Sequence, residues 1–369
     1  MKYMFISQTL SRGGAERVIS VLSTALVELG HEVIVAKYFS TNGEYPIGEK
    51  VIILNLSGGD IQTYKKIGKL KTIKALRRAI KNYMPSCIIP FTYPVAQLTE
   101  IASAGLHIPV FQSIRINPSL GPAQQWKRWL RDRLVYKSKC TFVQNKQQAE
   151  YFKDSYQDKI HVLSNPVSDA LFSIDPKPLT TEFVISALGR LTEQKNYRLL
   201  IDAFTEAFAN EQSVKLQIYG DGEKKNELQS LIDQKRMQSQ IVLMGRTDDV
   251  MSVYKNTDIY VLSSDWEGMP NTLIEAMAAH VLSISTDCPT GPAELIQNEE
   301  NGYLVPMRDK EALKSKLLQV YSLSYEERLA ISKKARETVK LKCSSHNIAN
   351  EMNKICETII KEQSSNEQN

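Results

Sequence analysis

Paired cysteines and long apolar runs are both missing from this chain of 369 residues. Its five cysteines stand far apart, at Cys87, Cys140, Cys288, Cys343 and Cys356. With no C-x-x-C pair and an odd total, they argue against a disulfide framework or a structural zinc site and fit reduced thiols in a cytoplasmic protein. One stretch free of Lys and Arg, 87–114, is interrupted by Pro90, Pro94, Glu100 and Pro109. It cannot supply the roughly 20 apolar residues of a membrane span. The opening MKYMFIS is too short for the core of a signal peptide, so no export is expected. No short period recurs, which excludes a solenoid.

The chain does have the composition of a globular protein, 42% apolar and 24% charged, and its length predicts two domains. Its charge is unevenly spread. Residues 1–170 carry 23 Lys and Arg against 12 Asp and Glu, net +11, whereas the rest carries 23 against 29, net −6. The two halves are expected to face different partners.

Apolar KYMFIS, a glycine pair in SRGGAER, then Ala15, Val18, Ile19, Leu22, Leu26 and Leu29 at helical spacing, then HEVIVAKY, predict the strand–loop–helix–strand unit of a parallel sheet. The alternation repeats through VIILNL, a helix near 63–83, SCIIPF, a helix near 94–105, IPVFQS, a helix near 122–137 and TFVQ. It restarts after the linker-like DPKPLTTE with FVISALGR and SVKLQIYG, continues through IVLMG, DIYVLSS and VLSIST, and ends at YLVP. Two doubly wound α/β domains are expected, at 1–172 and 173–344, with a C-terminal helix and a frayed polar tail over 345–369.

Open parallel sheets bind ligands at the carboxyl ends of their strands, so residues just after each strand carry the information. Gly13 and Gly14 would let backbone approach an anion, or simply make a tight turn. In GRLTEQKN, Arg190 and Lys195 could clamp a diphosphate or be ordinary surface charges. In DWEGMPNTLIEAMAAH, Glu267 precedes a Gly-x-Pro turn. Pro270 suits the first helical position, the amides of Asn271 and Thr272 face outward, and Glu275 can lean back toward the same ligand. Taken singly, each has a structural explanation.

Taken in order, GGAER, GRL-x-x-x-K-N, GDGE, MGR, EGMPNTLIE and TGPAELI resemble glycosyltransferase family 4 over nearly the whole chain. The glutamates eight apart are the most specific motif. The resemblance implies the GT-B fold, two Rossmann-like domains facing across a cleft, with the C-terminal helix returning to the first. It implies retaining transfer of a hexose or N-acetylhexosamine from a nucleotide sugar, expected to be UDP-linked, to a lipid-linked glycan in surface-polysaccharide assembly. The catalytic set would be Glu267, Arg190 and Lys195. Arg190 and Lys195 would hold the diphosphate, Glu275 the ribose, and Glu267 with Gly268, Met269, Pro270, Asn271 and Thr272 the sugar and phosphate. Gly13 and Gly14 would close over the phosphate, and Arg246 would border the base. In the family's front-face route the acceptor hydroxyl gives its proton to the departing phosphate. Many relatives place a histidine after a late strand of the first domain. Here FQSIRINPS offers Arg115 and Asn117 instead, as sugar or acceptor contacts. No Asp-x-Asp occurs, so no metal and no cofactor are expected. A nucleotide-sugar epimerase, or a binding protein without catalysis, is the alternative.

Eight bases and no acid occupy 65–81. Lys71, Lys74, Arg78 and Lys81 are expected on one side of a helix, with Leu70, Ile73, Leu76 and Ile80 on another. A second basic segment, 126–139, holds Trp126 and Trp129. Both suit an anionic membrane surface, which predicts a peripheral protein at the inner face of the cell membrane. No motif for nucleic acid accompanies the charge.

Overall fold

A computed structural model describes residues 1–11, 13–152 and 154–366. Arg12, within SRGGAER, lies outside them. The chain divides into two compact units: Met1–Pro166 with the residues from Cys343 on, and Val167–Lys342. The sequence places these boundaries at 172 and 344.

In the first unit, parallel strands β1 (Lys2–Ser7), β2 (Glu32–Lys37), β3 (Ile52–Asn55) and β4 (Cys87–Pro90) run in the order β3-β2-β1-β4. A second run, β5 (Gln112–Ser113), β6 (Thr141–Val143) and β7 (Ile160–Val162), continues from β4 through a bridge between Ile88 and Val110. Helices α1 (Gly14–Glu28), α2 (Ile61–Tyr83), α3 (Tyr93–Ser103), α4 (Gln125–Lys137) and α5 (Lys146–Glu150) connect them. Alternation along each strand buries both faces of the sheet. Tyr3, Phe5, Val33 and Val35 pack with α1 and with Ile348 and Met352 of the last helix. Met4, Ile6, Ile34 and Ala36 pack with α2 and α3.

The second unit is a six-stranded sheet of β8 (Phe183–Leu188), β9 (Val214–Tyr219), β10 (Ile241–Gly245), β11 (Ile259–Leu262), β12 (Leu282–Thr286) and β13 (Tyr303–Val305), in the order β10-β9-β8-β11-β12-β13. All pairings are parallel. Its helices are α6 (Tyr197–Phe208), α7 (Lys225–Gln234), α8 (Val250–Lys255), α9 (Asn271–Ala278), α10 (Pro292–Leu295), α11 (Lys310–Ser322) and α12 (Tyr325–Cys343). Ile185, Leu216, Ile218, Val261 and Ile284 form one core with Leu200 and Phe204 of α6 and Leu313 and Leu317 of α11. Helix α13 (Ser345–Asn366) runs back along α1 in the first unit.

Several local expectations are corrected. The last helix takes in the tail as far as Asn366, and residues 367–369 lie outside the described range. IPVFQS forms a strand only at Gln112–Ser113. Helix α2 breaks at Gly68, whose φ of 74° is open to glycine, so a new helix starts at residue 69. Leu70, in the first turn of that helix, is 77% exposed and does not join buried Leu76 and Ile80. Arg77 also leaves the basic face: its Nη1 donates to the carbonyls of Ala102 (2.9 Å) and Ala104 (2.8 Å), closing the end of α3. Lys65, Lys66, Lys69, Lys71, Lys74, Arg78 and Lys81 are exposed. No helix among the described residues is long and apolar enough to cross a membrane.

Candidate active site

The strand ends of the second unit gather four of the sequence motifs. The GRL loop after β8 and the GDG loop after β9 touch backbone to backbone. A Cβ on Gly220 would sit 1.8 Å from the Gly189 carbonyl oxygen, and one on Gly222 would sit 2.4 Å from that of Leu191. Only hydrogen fits in either place. The approach is secured by Leu191 N donating to Asp221 O and Lys224 N donating to Leu191 O, both at 3.0 Å.

A 3₁₀ turn over Glu193–Lys195 then carries the chain to Asn196, in the left-handed region at φ 45°. Its side-chain oxygen caps α6 by accepting from Leu199 N, while its Nδ2 donates to Asp265 Oδ1 at 3.0 Å. This double use fixes Lys195 beside the 263–267 loop. Ser263 Oγ donates to the Lys195 carbonyl (2.8 Å), and Lys195 Nζ pairs with Glu267 Oε1 at 2.6 Å. Ser264 Oγ donates to the same oxygen at 2.6 Å. Two residues to which the sequence assigns separate roles are thus in direct contact and largely buried. Arg190 is exposed and makes no side-chain ion pair or hydrogen bond among the described residues.

Glu267 stands before α9, whose start differs from expectation. Pro270 is the N-cap, not the first helical residue: its ψ of 97° is extended, and its carbonyl accepts from Leu273 N and Ile274 N at 3.1 Å. The TGP loop closes on this turn. Thr290 Oγ1 donates to the Glu267 carbonyl, and a Cβ on Gly291 would lie 2.6 Å from Pro270 Cδ and 3.0 Å from the Gly268 oxygen. Gly268 and Met269 form the turn, with Met269 buried. Thr272 accepts from Tyr260 Oη at 2.6 Å. Glu275 is 2% exposed and receives the Tyr254 hydroxyl at 3.0 Å.

Sequence reasoning missed the supporting residues. Arg308 donates to Asp265 from 43 residues away (Nε to Oδ2, 2.9 Å), and that carboxylate raises the pKa of the guanidinium. No local signal marks such a pair, whereas Ser263, Ser264 and Asp265 adjoin the motif. Buried Cys288 lies close enough to feel Glu267. Burial first, then that carboxylate, push its thiol up to about 12. Arg246 follows β10 as expected but is exposed, 3.4 Å from Asp221.

The remaining candidates belong to the first unit. Gly13 caps α1 in extended conformation, and Gly14 opens the helix. A Cβ on Gly13 would meet only the Glu16 carboxylate, the end of a flexible side chain, so packing alone does not demand glycine. Asn117 serves its own turn, its Oδ1 accepting from Ser119 N at 2.9 Å. Arg115 follows β5, with Nε on Ser113 Oγ (2.7 Å) and Nη1 on Asn165 Oδ1 (3.1 Å). Among the described residues no group of three or more His, Cys, Asp or Glu side chains could hold a metal.

Two successive parallel-sheet units, the second with a glutamate at the head of a helix and another on it, define the GT-B glycosyltransferase class. Comparison makes the family definite. Residues 12–171 match the family model "Glycosyltransferase Family 4" and residues 171–338 match "Glycosyl transferases group 1". An uncharacterised glycosyltransferase of Methanocaldococcus jannaschii is 31% identical, over 69% of this chain and 68% of that protein. A Campylobacter jejuni enzyme named as an α-1,4-N-acetyl-D-galactosaminyltransferase acting on a diNAcBac-PP-undecaprenol-linked GalNAc disaccharide is 28% identical, over 86% and 88%. Anabaena HepE, solved with UDP and glucose, superposes with a TM-score of 0.80 at 16% identity, covering 96% of this chain and 99% of that one. The chain belongs to glycosyltransferase family 4.

Proposed function

We propose that this glycosyltransferase moves a hexose or N-acetylhexosamine from a UDP-sugar, with retention of configuration, to a lipid-linked glycan in surface-polysaccharide assembly. It works at the inner membrane face and without a metal ion or other cofactor. The observation that carries the reading is the Lys195–Glu267 pair at the head of α9, with exposed Arg190 nearby in sequence and buried Glu275 eight residues on. The UDP held by the Anabaena neighbour and the lipid-linked acceptor named for the Campylobacter relative support it.

Breaking a sugar–phosphate bond leaves negative charge on the diphosphate and positive character on the ring. Cations at the site stabilise the leaving group. Arg190 and Lys195 supply them, and the incoming diphosphate competes with Glu267 for Lys195. Glu267, released toward the sugar with Gly268, Met269, Pro270, Asn271 and Thr272 around it, orients the donor. The acceptor hydroxyl passes its proton to the departing phosphate oxygen as the new glycosidic bond forms. Glu275 binds the ribose, Arg246 borders the base, and Gly13, Gly14 and Asn117 belong to the phosphate and acceptor side. The basic surfaces of 65–81 and 126–139 hold the protein on anionic lipid, and nucleic acid is not a partner.

A panel of sugar nucleotides, screened by thermal shift and then by turnover with lipid-linked acceptors, tests the reading. UDP-sugars should stabilise the protein and turn over in excess chelator. A strict requirement for Mg²⁺ or Mn²⁺ removes the metal-free route, and conversion of the donor to its epimer without acceptor replaces the transferase by an epimerase.

A further inference from the structure

Four consecutive strands of the first unit deliver one side chain each to the same place. Phe91 follows β4, Ser113 ends β5, Gln144 follows β6 and Asn165 lies just beyond β7, all at the carboxyl edge of a parallel sheet. Arg115 sits among them. Its guanidinium lies over the Phe91 ring with Cζ 5.0 Å from the centroid, and its Nε and Nη1 are held by Ser113 and Asn165. The Asn165 oxygen is held in turn by Gln144 Nε2 at 2.9 Å, and Gln144 is locked to Gln148 by bonds of 2.9 and 3.1 Å. Ser113, Gln144, Gln148 and Asn165 are all buried.

Every one of these partners is neutral. Arg115 forms no ion pair among the described residues, and no acceptor meets its remaining N–H bonds. The residue keeps a partly exposed edge, yet its guanidinium is packed among protein atoms. Burial alone lowers its pKa, to about 10, which still leaves it charged at neutral pH. A desolvated charge without a counterion is costly, and folds seldom retain one unless a ligand supplies the opposite charge. Partners on Nε and Nη1 fix the plane of the guanidinium and leave Nη2 oriented to donate to an oxyanion.

We infer that Arg115 is an oxyanion receptor of the first unit that binds a phosphoryl group of substrate, rather than the sugar hydroxyls expected from its position. The inference rests on the transferase reading, in which two phosphates are at hand: the donor diphosphate and the diphosphate linking the acceptor to its lipid.

Titration calorimetry of the full chain with UDP, geranyl diphosphate and uncharged uridine separates the two. In Arg115→Gln the Kd should rise at least tenfold for UDP if the donor phosphate is held, or for geranyl diphosphate if the acceptor phosphate is. Arg115→Lys should be intermediate, and uridine should bind as in wild type. Equal affinity of wild type and Arg115→Gln for both phosphates overturns the assignment, as does equal weakening of all three probes, which marks structural damage. Failure of wild type to bind UDP defeats the donor reading, and geranyl diphosphate alone then decides Arg115. If wild type binds neither phosphate, both fall.

Discussion

Lys195 and Glu267 neutralise each other, so removing one exposes the other to a penalty that a surface charge would not feel. Lys195→Ala should cost about 3 kcal/mol of stability, because the carboxylate keeps only the Ser264 hydroxyl in a buried setting. It should also weaken UDP binding. Replacing both, as Lys195→Met with Glu267→Gln, should recover most of the melting temperature but none of the turnover. If Lys195→Ala melts like wild type, the pair is not coupled in solution. Glu275 makes a different case. Its link to Tyr254 ties it to the fold, so Tyr254→Phe should leave a misplaced carboxylate and raise the Kd for UDP several-fold, while Glu267→Gln should reduce turnover more than UDP affinity. Equal effects of the two changes on UDP binding would undo that division.

The glycines of the loops divide into those that packing requires and those it does not. Gly220→Ala drives a Cβ into the Gly189 carbonyl, and backbone cannot yield as a side chain can. The expected outcome is a loss of at least 2 kcal/mol in stability and, since the GRL loop bearing Arg190 must shift, at least a tenfold loss of turnover. Gly13→Ala meets only the Glu16 carboxylate and should cost under about 1 kcal/mol. Turnover lost with stability kept would mark the Gly13–Gly14 loop as a ligand contact, and turnover kept would return it to the role of helix cap. Helix α2 is amphipathic in another sense than its sequence suggests. Leu70 is exposed among the exposed bases, and Trp126 and Trp129 of α4 are exposed too, 61% and 57%. By contrast Arg128 and Arg131 are tied to carbonyls of the preceding loop and belong to the fold.

At the level of the molecule, surface charge and buried acids predict opposite kinds of sensitivity. Each exposed base near an anionic surface contributes about 1 kcal/mol, screened over roughly 8 Å at physiological salt. Changing Lys71, Lys74, Arg78 and Lys81 together to Gln should lower binding to phosphatidylserine vesicles by up to about a thousandfold, leaving UDP affinity intact. Equal sedimentation of the two proteins at low salt would return α2 to an ordinary solvated surface. The buried thiols and phenols act at the alkaline end. Burial raises Cys288 to about 12 and lifts Cys87, Cys140 and Tyr260 as well. Such groups stabilise the fold fully below their unfolded pKa and lose that contribution as pH rises toward the folded value. Chemical denaturation should show stability falling from about pH 9 upward, and a flat profile to pH 11 would contradict the burial of these groups.

Most element types and their order were legible in the sequence, because hydrophobic period, glycine and proline are local properties, whereas the short α5 and β7 were not. The ordered motifs of the GRL, GDG and EGMPNTLIE loops likewise place the candidate site at the strand ends of the second unit. What each charge meets was not legible. Lys195 and Glu267 are 72 residues apart, and Arg308 reaches Asp265 across 43, while Arg115 finds its neutral partners Phe91, Ser113 and Asn165 at the ends of separate strands. Leu70 fits a helical stripe in the sequence, yet it is exposed where Leu76 and Ile80 are buried. The reason is physical: periodicity is set by the backbone a few residues at a time, whereas Coulomb energy and burial depend on distances in space that only the folded chain defines.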